Sequence, residues 1–229
     1  MKFEWQGNSE AGGSAIIASP ESYDAVPFMK ELMIDGRPRV VSADRLAVAT
    51  ILAFGFDSSG SVELPFPIGP TTAQAIQEFL DPTWVTVSPI DFVPKALPIG
   101  VTRMHLTMDS PAERNILNSF DKQRTVHFEL RRSDRYAGQL MSLDHHIVVS
   151  NAWIFGEAES ERSFLAALAV GVLFAESLQV DVIEFPQLVR LLPETARSVS
   201  KLLQSCRLAL DIVGTENLAV ESAGADSRA

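Results

Sequence analysis

The 229-residue sequence predicts a single α/β (or α+β) domain, in which helices pack on a mixed β-sheet of about six to eight strands. Three observations predict this class. One apolar run is long enough for a buried helix, residues 39–88 alternate between strand-like and helix-like segments, and two later segments alternate polar and apolar residues as strands do. Such alternation favours a sheet with some parallel strand pairs and helices packed on it.

Residues 164–175, FLAALAVGVLFA, form a run of twelve apolar residues. At 100° per residue their large side chains point in every direction, and a helix that is apolar all round is buried. A membrane-spanning helix needs about 20 apolar residues, so this run is too short to cross a bilayer. We therefore predict one central buried helix near 160–178. Ala167, Gly171 and Ala175 recur every fourth residue, which predicts a neighbouring element packed closely against that helix.

The first part of the chain alternates between short apolar strands and amphipathic helices. Ser42 and Asp44 indicate the start of a helix that ends near Gly55. The predicted elements, in order, are strands at 2–7 and 15–18, a helix at 26–33, a short strand at 39–41, a helix at 43–54, a strand at 62–66, a helix at 72–80 and a strand at 84–90.

The remainder of the chain is richer in alternating strands. The predicted elements are strands at 101–108, 125–131, 139–143, 145–155 and 180–185, and helices at 109–120, 160–178 and 194–210. Residues 214–229 lack periodicity, which predicts a mobile acidic tail. No linker interrupts residues 1–213, so we predict one domain there; a second domain that starts near Val101 is the alternative.

Composition and charge limit the classes of function. Hydrophobic residues make up 46% and charged residues 21%, which is typical of a globular protein. The net charge of −10 disfavours nucleic-acid binding by the surface as a whole. Cys206 is the only cysteine, so a disulfide scaffold is excluded and a reducing compartment is favoured. The first residues, MKFEWQGNSE, lack the apolar stretch of a signal peptide. We therefore expect a soluble cytoplasmic protein without a membrane segment.

The charge is unevenly distributed along the chain. Residues 101–135 contain seven Lys and Arg against five Asp and Glu, a local charge of +2, so the remainder carries −12. We expect any anionic ligand to bind in this segment.

Polar side chains on two of the alternating strands form the strongest candidate site. Residues i and i+2 of a strand share one face, so Arg103 and His105 lie together on one strand, and His127, Glu129 and Arg131 on the other. If the strands are neighbours, His105 or His127 could act as an acid/base catalyst oriented by Glu129, and the arginines could bind an anion. Two histidines and a glutamate could also serve as ligands of a zinc or iron ion. The plain alternative is a solvated sheet face.

Other motifs predict no chemistry. Asp144, His145 and His146 form a second polar cluster, but adjacent histidines on a strand point to opposite faces. The segment GNSEAGGS imitates a phosphate-binding loop, yet Gly13 stands where its lysine belongs and a strand follows. No nucleophile-elbow, zinc, dinucleotide or calcium motif is complete. We therefore predict no metal and no cofactor.

Two apolar, proline-containing loops, 66–69 and 97–100, echo each other in sequence. Apolar loops at a surface predict contact with a partner, while the alternative is that they cover the ends of the core. The predicted partner-contacting residues are Phe66, Ile68, Leu97 and Ile99.

The first hypothesis for the function is a cytosolic interaction protein or a subunit of an assembly, either with another protein or as a homo-oligomer. The alternatives are a small-molecule enzyme that uses the His/Glu site, and an acidic inhibitor of a cationic partner.

Overall fold

The computed structural model describes residues 1–7, 12–93, 95–109, 124–156, 160–186 and 191–213. These residues contain eleven strands and four α-helices. The strands are β1 (Lys2–Gln6), β2 (Ser14–Ser19), β3 (Glu31–Asp35), β4 (Gly60–Ile68), β5 (Val85–Ile90), β6 (Thr102–Met108), β7 (Arg124–Arg132), β8 (Gln139–Met141), β9 (His145–Ser150), β10 (Val180–Pro186) and β11 (Ala209–Val213). The helices are α1 (Ala43–Phe54), α2 (Pro70–Phe79), α3 (Glu161–Ala175) and α4 (Pro193–Ser205).

All strands join one mixed sheet, which confirms the predicted α/β class. The strand order is β11-β10-β6-β7-β9-β3-β2-β1-β4-β5, and the short strand β8 pairs with β9. The sheet is therefore larger than the six to eight strands predicted. Strands β11, β10, β6, β7 and β9 run parallel to one another, whereas β3, β2 and β1 form an antiparallel meander.

The sheet consists of two halves with the same order of elements. Apart from β8, each half contains three strands, a helix, a strand, a helix and a strand in sequence. Counted from the junction, the spatial order in both halves is third, second, first, fourth and fifth strand. The halves meet where β3 pairs antiparallel with β9, α1 packs on α3, and α2 packs on α4. A twofold axis between β3 and β9 would produce this order of strands. The directions of one corresponding pair differ, because β2 runs antiparallel to its neighbours and β7 runs parallel to its own.

The sheet curves around its helices. Ten strands spaced about 4.8 Å apart would span about 43 Å if the sheet were flat. Helix α2 lies beside β5 at one edge and α4 lies beside β11 at the other, yet the two helices pack against each other. Because packed helices lie about 8–10 Å apart, the two edges must be drawn together. The helices therefore fill the concave side, and the opposite sheet face is convex.

Helix α3 is buried, as its sequence predicts. Residues Ser163 to Ala175 are all buried, and Ser160 accepts a hydrogen bond at the helix start from the Ser163 backbone N–H. Burying each large apolar side chain contributes about 2 kcal/mol. A Cβ on Gly171 would lie 3.2 Å from a Leu106 methyl carbon and 3.5 Å from the Met104 sulfur. The small residue thus lets α3 approach β6 closely, as predicted.

Several elements differ from the sequence prediction. The strand predicted at 145–155 is shorter, because β9 ends at Ser150 and Ala152–Phe155 form a 3-10 helix, and residues 39–41 form no strand. The helix predicted at 26–33 is wrong, because residues 31–35 form β3, with Leu32 and Ile34 buried in the apolar core. The last helix was predicted to run to residue 210, but α4 ends at Ser205 and residues 209–213 form the edge strand β11. The helix predicted at 109–120 and the tail predicted at 214–229 lie outside the described residues.

The core crosses the junction between the halves. One cluster of buried apolar side chains includes residues from both halves, among them Phe3 and Leu46 in the first and Leu168 and Leu203 in the second. Cys206 is a free cysteine that is buried in this cluster. Burial raises the pKa of that thiol to about 12. In the described part of the chain, no helix has both the length and the apolar character needed to cross a membrane.

Candidate functional site

Histidines from three adjacent parallel strands lie side by side on the convex face. His105 on β6 is the register partner of His127 on β7, and His127 is the register partner of His145 on β9. The ring centroids of His105 and His127 are 5.8 Å apart, and those of His127 and His145 are 6.5 Å apart. We call His105, His127 and His145 the histidine row. The strands predicted to carry the candidate site are therefore neighbours.

The strands reach this arrangement because one side of each is apolar. Met104 and Leu106 on β6, and Val126 and Phe128 on β7, are buried against the helices. The residues between them must then face outward, since successive strand residues alternate between the two faces. The three histidines are accordingly half-buried on a face that packs against none of the four helices.

Carboxylates flank both ends of the histidine row. On β10, Glu184 is the register partner of His105, and its Oε2 lies 3.8 Å from His105 Nδ1. Arg103 donates a hydrogen bond to Glu184 and another, 3.2 Å long, to Asp211 on β11. Burial alone would raise the pKa of Glu184, but the hydrogen bond from Arg103 and the nearby His105 outweigh burial and hold that pKa below its usual value.

Glu129 contacts the other end of the row and not its centre. Its Oε2 lies 3.5 Å from His145 Nε2, and its Oε1 lies 2.6 Å from Arg131 Nη2. The Arg131 guanidinium also stacks on the Tyr136 ring at 5.0 Å. Glu129 is almost fully buried, and the Arg131 guanidinium offsets its charge.

His127 differs from its neighbours because no carboxylate is paired with it among the described residues. Its Nδ1 atom is buried, and no described residue gives it a hydrogen-bond partner. Burial lowers the pKa of His127, and the neighbouring His105 and His145 lower it further. The centre of the row therefore favours a neutral imidazole when the face is empty.

The predicted acid/base pair is not formed in this geometry. Glu129 is directed at Arg131 and His145, so it does not orient His127. Arg103 and Arg131, predicted to bind an anion, are each held by carboxylates of this chain. No group of three or more metal-binding side chains surrounds a common point among the residues that the structure describes.

Sequence reasoning missed His145 and Glu184 as members of this surface. His145 and His146 were predicted to point to opposite faces, and His146 is indeed buried while His145 faces outward. The alternation within β9 places His145 on one side, but only the β7–β9 pairing shows that it lies beside His127. Polar and apolar residues also alternate along β10, which places Glu184 on the outward side, but the alternation does not show that β10 lies beside β6.

A shallow groove lies beside the row. It has a volume of about 340 Å³, and Arg131, Tyr136, Leu140, Ile147 and Val149 are among the residues that line it. A second groove of about 360 Å³, which shares Tyr136 and Val149, continues over the junction of β3 and β9. None of the three row histidines lines either groove.

Exposed apolar side chains collect on the segment that joins the two halves. We call residues 91–101 the connector; residue 94 lies outside the described set. Phe92, Val93, Ile99 and Val101 on the connector keep 78%, 68%, 74% and 65% of their surface exposed. Phe66, near the end of β4, is also exposed.

Backbone bonds fix the connector at both ends. The Asp91 N–H donates to the Ile68 carbonyl at 2.8 Å, and the Val101 N–H donates to the Gln179 carbonyl at 2.8 Å. Between them, the buried Arg45 donates to the Pro98 carbonyl at 3.4 Å. The exposed apolar side chains are thus displayed on a segment whose two ends are tied to the sheet.

The structure places the four predicted partner residues differently. Ile99 is exposed, whereas Leu97 is half-buried and Ile68 belongs to the core. Phe66 and Ile68 lie within β4 and not in a loop, because the strand continues to Ile68, whose register partner is Ile90. A partner would therefore meet Phe66 and Ile99 and not Ile68.

Searches with protein-family models, with the curated proteins and with the solved structures found no match to this chain.

Proposed function

We propose that this chain is a cytoplasmic interaction protein, a subunit of a larger assembly, which binds a different protein through its connector. The observation that carries the proposal is the exposure of Phe92, Val93, Ile99 and Val101 on one segment. Four large apolar side chains this exposed in eleven residues are costly in water, and covering such surface is the usual source of binding free energy.

Charge favours a different protein over a second copy as the partner. The net charge of −10 makes two copies repel each other, particularly at low ionic strength. The connector itself is close to neutral, because Lys95 and Asp91 form an ion pair at 2.7 Å. A partner with an apolar patch surrounded by basic residues would meet both the connector and the acidic surface around it.

Site-specific photo-crosslinking in the native host tests this proposal. A photoreactive residue at Val93 should capture one defined protein, whereas the same residue at Leu143 should not. Leu143 is the matched control, since it is 74% exposed but lies in the turn between β8 and β9. Equal capture of the same proteins at both positions would contradict the proposal.

A double variant, Phe92→Ser with Ile99→Ser, sharpens the test. Both side chains are exposed, so we expect the unfolding free energy to change by less than about 0.5 kcal/mol. The captured partner should bind at least about tenfold more weakly, because hot-spot truncations cost more than about 1 kcal/mol each. Leu143→Ser should leave binding unchanged. Sedimentation of the purified chain as a homo-oligomer that the double variant dissolves would assign the connector to self-association instead.

A further inference from the structure

Protonation of the histidine row reverses the charge of the convex face around it. The fixed charges that face outward beside the row are Arg103 and Arg131 against Glu129, Glu184 and Asp211, which is two minus three, or −1. Three imidazolium groups would bring this total to +2. Arg124 and Asp144, at the end of the row, pair with each other at 3.2 Å and cancel.

The positive charge would be compensated unevenly along the row. His105 has Glu184 at 3.8 Å and His145 has Glu129 at 3.5 Å. His127 lies between two imidazoles and has no carboxylate partner among the described residues. Its buried Nδ1 also has no hydrogen-bond partner among those residues. The centre of the row therefore lacks a counter-ion that both ends possess.

We propose that the histidine row is a proton-controlled binding site for a small oxyanion, a sulfate or phosphate group, centred on His127. An oxyanion there would supply the missing counter-ion and accept charge-assisted hydrogen bonds from the imidazolium groups. Histidine is the residue suited to such control, because its ordinary pKa lies near 6.5. This site is separate from the connector and does not depend on the function proposed for it.

The groups that face His127 determine how binding and protonation are coupled. They are His105 on β6, His145 on β9, Asp144 before β9 and Glu184 on β10. Burial and the two histidines lower the pKa of His127, while Asp144 and Glu184 act in the opposite direction. A bound oxyanion would raise this pKa, and by linkage a protonated His127 would bind the oxyanion more tightly.

Proton NMR of the four histidines tests the proposal in the wild-type chain. The imidazole signals are followed from pH 8 to pH 5 in sodium sulfate and in sodium chloride at equal ionic strength. We expect the His127 midpoint to be at least half a pH unit higher in sulfate than in chloride. His146, buried on the other face of β9, is the internal control and should titrate alike in both salts. Identical His127 curves in the two salts, or an equal shift of all four histidines, would overturn the proposal.

Variants give a second readout. At pH 5.5, sulfate should bind His127→Gln about fivefold more weakly than the wild type, because one nearby positive charge is lost. His146→Gln should bind sulfate as the wild type does. Sulfate affinity that is equal in His127→Gln and the wild type, or that does not fall between pH 5.5 and pH 8, would show an adventitious ion only.

Discussion

The two halves of the molecule, residues 1–90 and 102–213, are alike on the side that faces the helices and different on the convex side. In each half the inward residues of the strands are mostly apolar and pack on two helices, α1 and α2 in the first half and α3 and α4 in the second. The convex face of the first half presents mainly lysine, glutamate, glutamine and isolated apolar side chains, whereas the second half presents the histidine row with its arginines and carboxylates. Packing thus constrains only one side of each strand, which leaves the other side free to carry functional side chains.

The two central helices also differ in one respect. Helix α3 is apolar from Phe164 to Ala175, but α1 contains Arg45, whose side chain is buried without a salt bridge among the described residues. Its guanidinium donates to the carbonyls of Pro98, Val180 and Cys206 at 3.4–3.5 Å. Burial lowers the pKa of Arg45. This residue ties the first half to the connector and to the second half.

The largest expected effect comes from truncating the central helices. Leu168→Ala in α3 and Leu46→Ala in α1 should each lower the free energy of unfolding by about 3 kcal/mol, because both side chains are fully buried. Urea denaturation followed by circular dichroism measures this loss. Leu143→Ala, at an exposed position, should change it by less than about 0.5 kcal/mol. A loss confined to one of the two core variants would break the equivalence of the halves.

Arg45 should have the next largest effect. Arg45→Ala should lower the free energy of unfolding by about 2–3 kcal/mol, because three carbonyls lose a donor and a cavity remains. Arg45→Met, which fills most of that volume without a buried charge, should lower it by less. Equilibrium denaturation in urea distinguishes the two variants. If both variants were as stable as the wild type, Arg45 would not link the halves.

The second half, which contains all four histidines, should make the stability of the folded chain depend on pH. The pKa of His127 in the folded chain is lower than its ordinary value of 6.5, so the unfolded chain binds more protons below about pH 7. The free energy of unfolding should therefore fall as the pH is lowered from about 7 to 5. His127→Gln should reduce this fall, and His146→Gln should also reduce it, since burial lowers the pKa of His146 too. Urea titrations at several pH values measure this fall in the free energy of unfolding. They are made in chloride buffers, so that no sulfate binds to the histidine row.

The smallest effect is expected on the convex face of the first half. Glu4→Gln and Met33→Ser change exposed side chains of β1 and β3 and should alter the free energy of unfolding by less than about 0.5 kcal/mol. Neither variant should change the His127 titration. A displaced His127 midpoint in Met33→Ser would show that the two convex faces are coupled across the β3–β9 junction.

The sequence is most informative where a segment's own pattern decides its structure. The run at 164–175 predicts its burial by itself, and alternation in β6 and β7 predicts which residues face outward. The pairing of those two strands was a hypothesis, which their register now confirms. For Arg103, His105 and His127, most of the placement was therefore predictable, while their chemical roles stay proposals.

Other features depend on partners distant in sequence. Residues 26–33 carry apolar side chains at helix-like spacing, but β3 forms because it pairs with β2 and β9. Strand β11 follows α4 within an apolar stretch, and only its pairing with β10 distinguishes it from a longer helix. The place of His145 in the row depends equally on the β7–β9 register. Local patterns contain no information on such long-range pairings.

The two halves share one core, built on α1 and α3, so we expect that neither half is stable alone. Native-state hydrogen exchange tests it most directly. We expect the slowest amides of α1 and of α3 to exchange with the same free energy, equal to the free energy of global unfolding. Exchange from α1 at a clearly lower free energy than from α3, or the reverse, would show that one half opens independently and would contradict the claim.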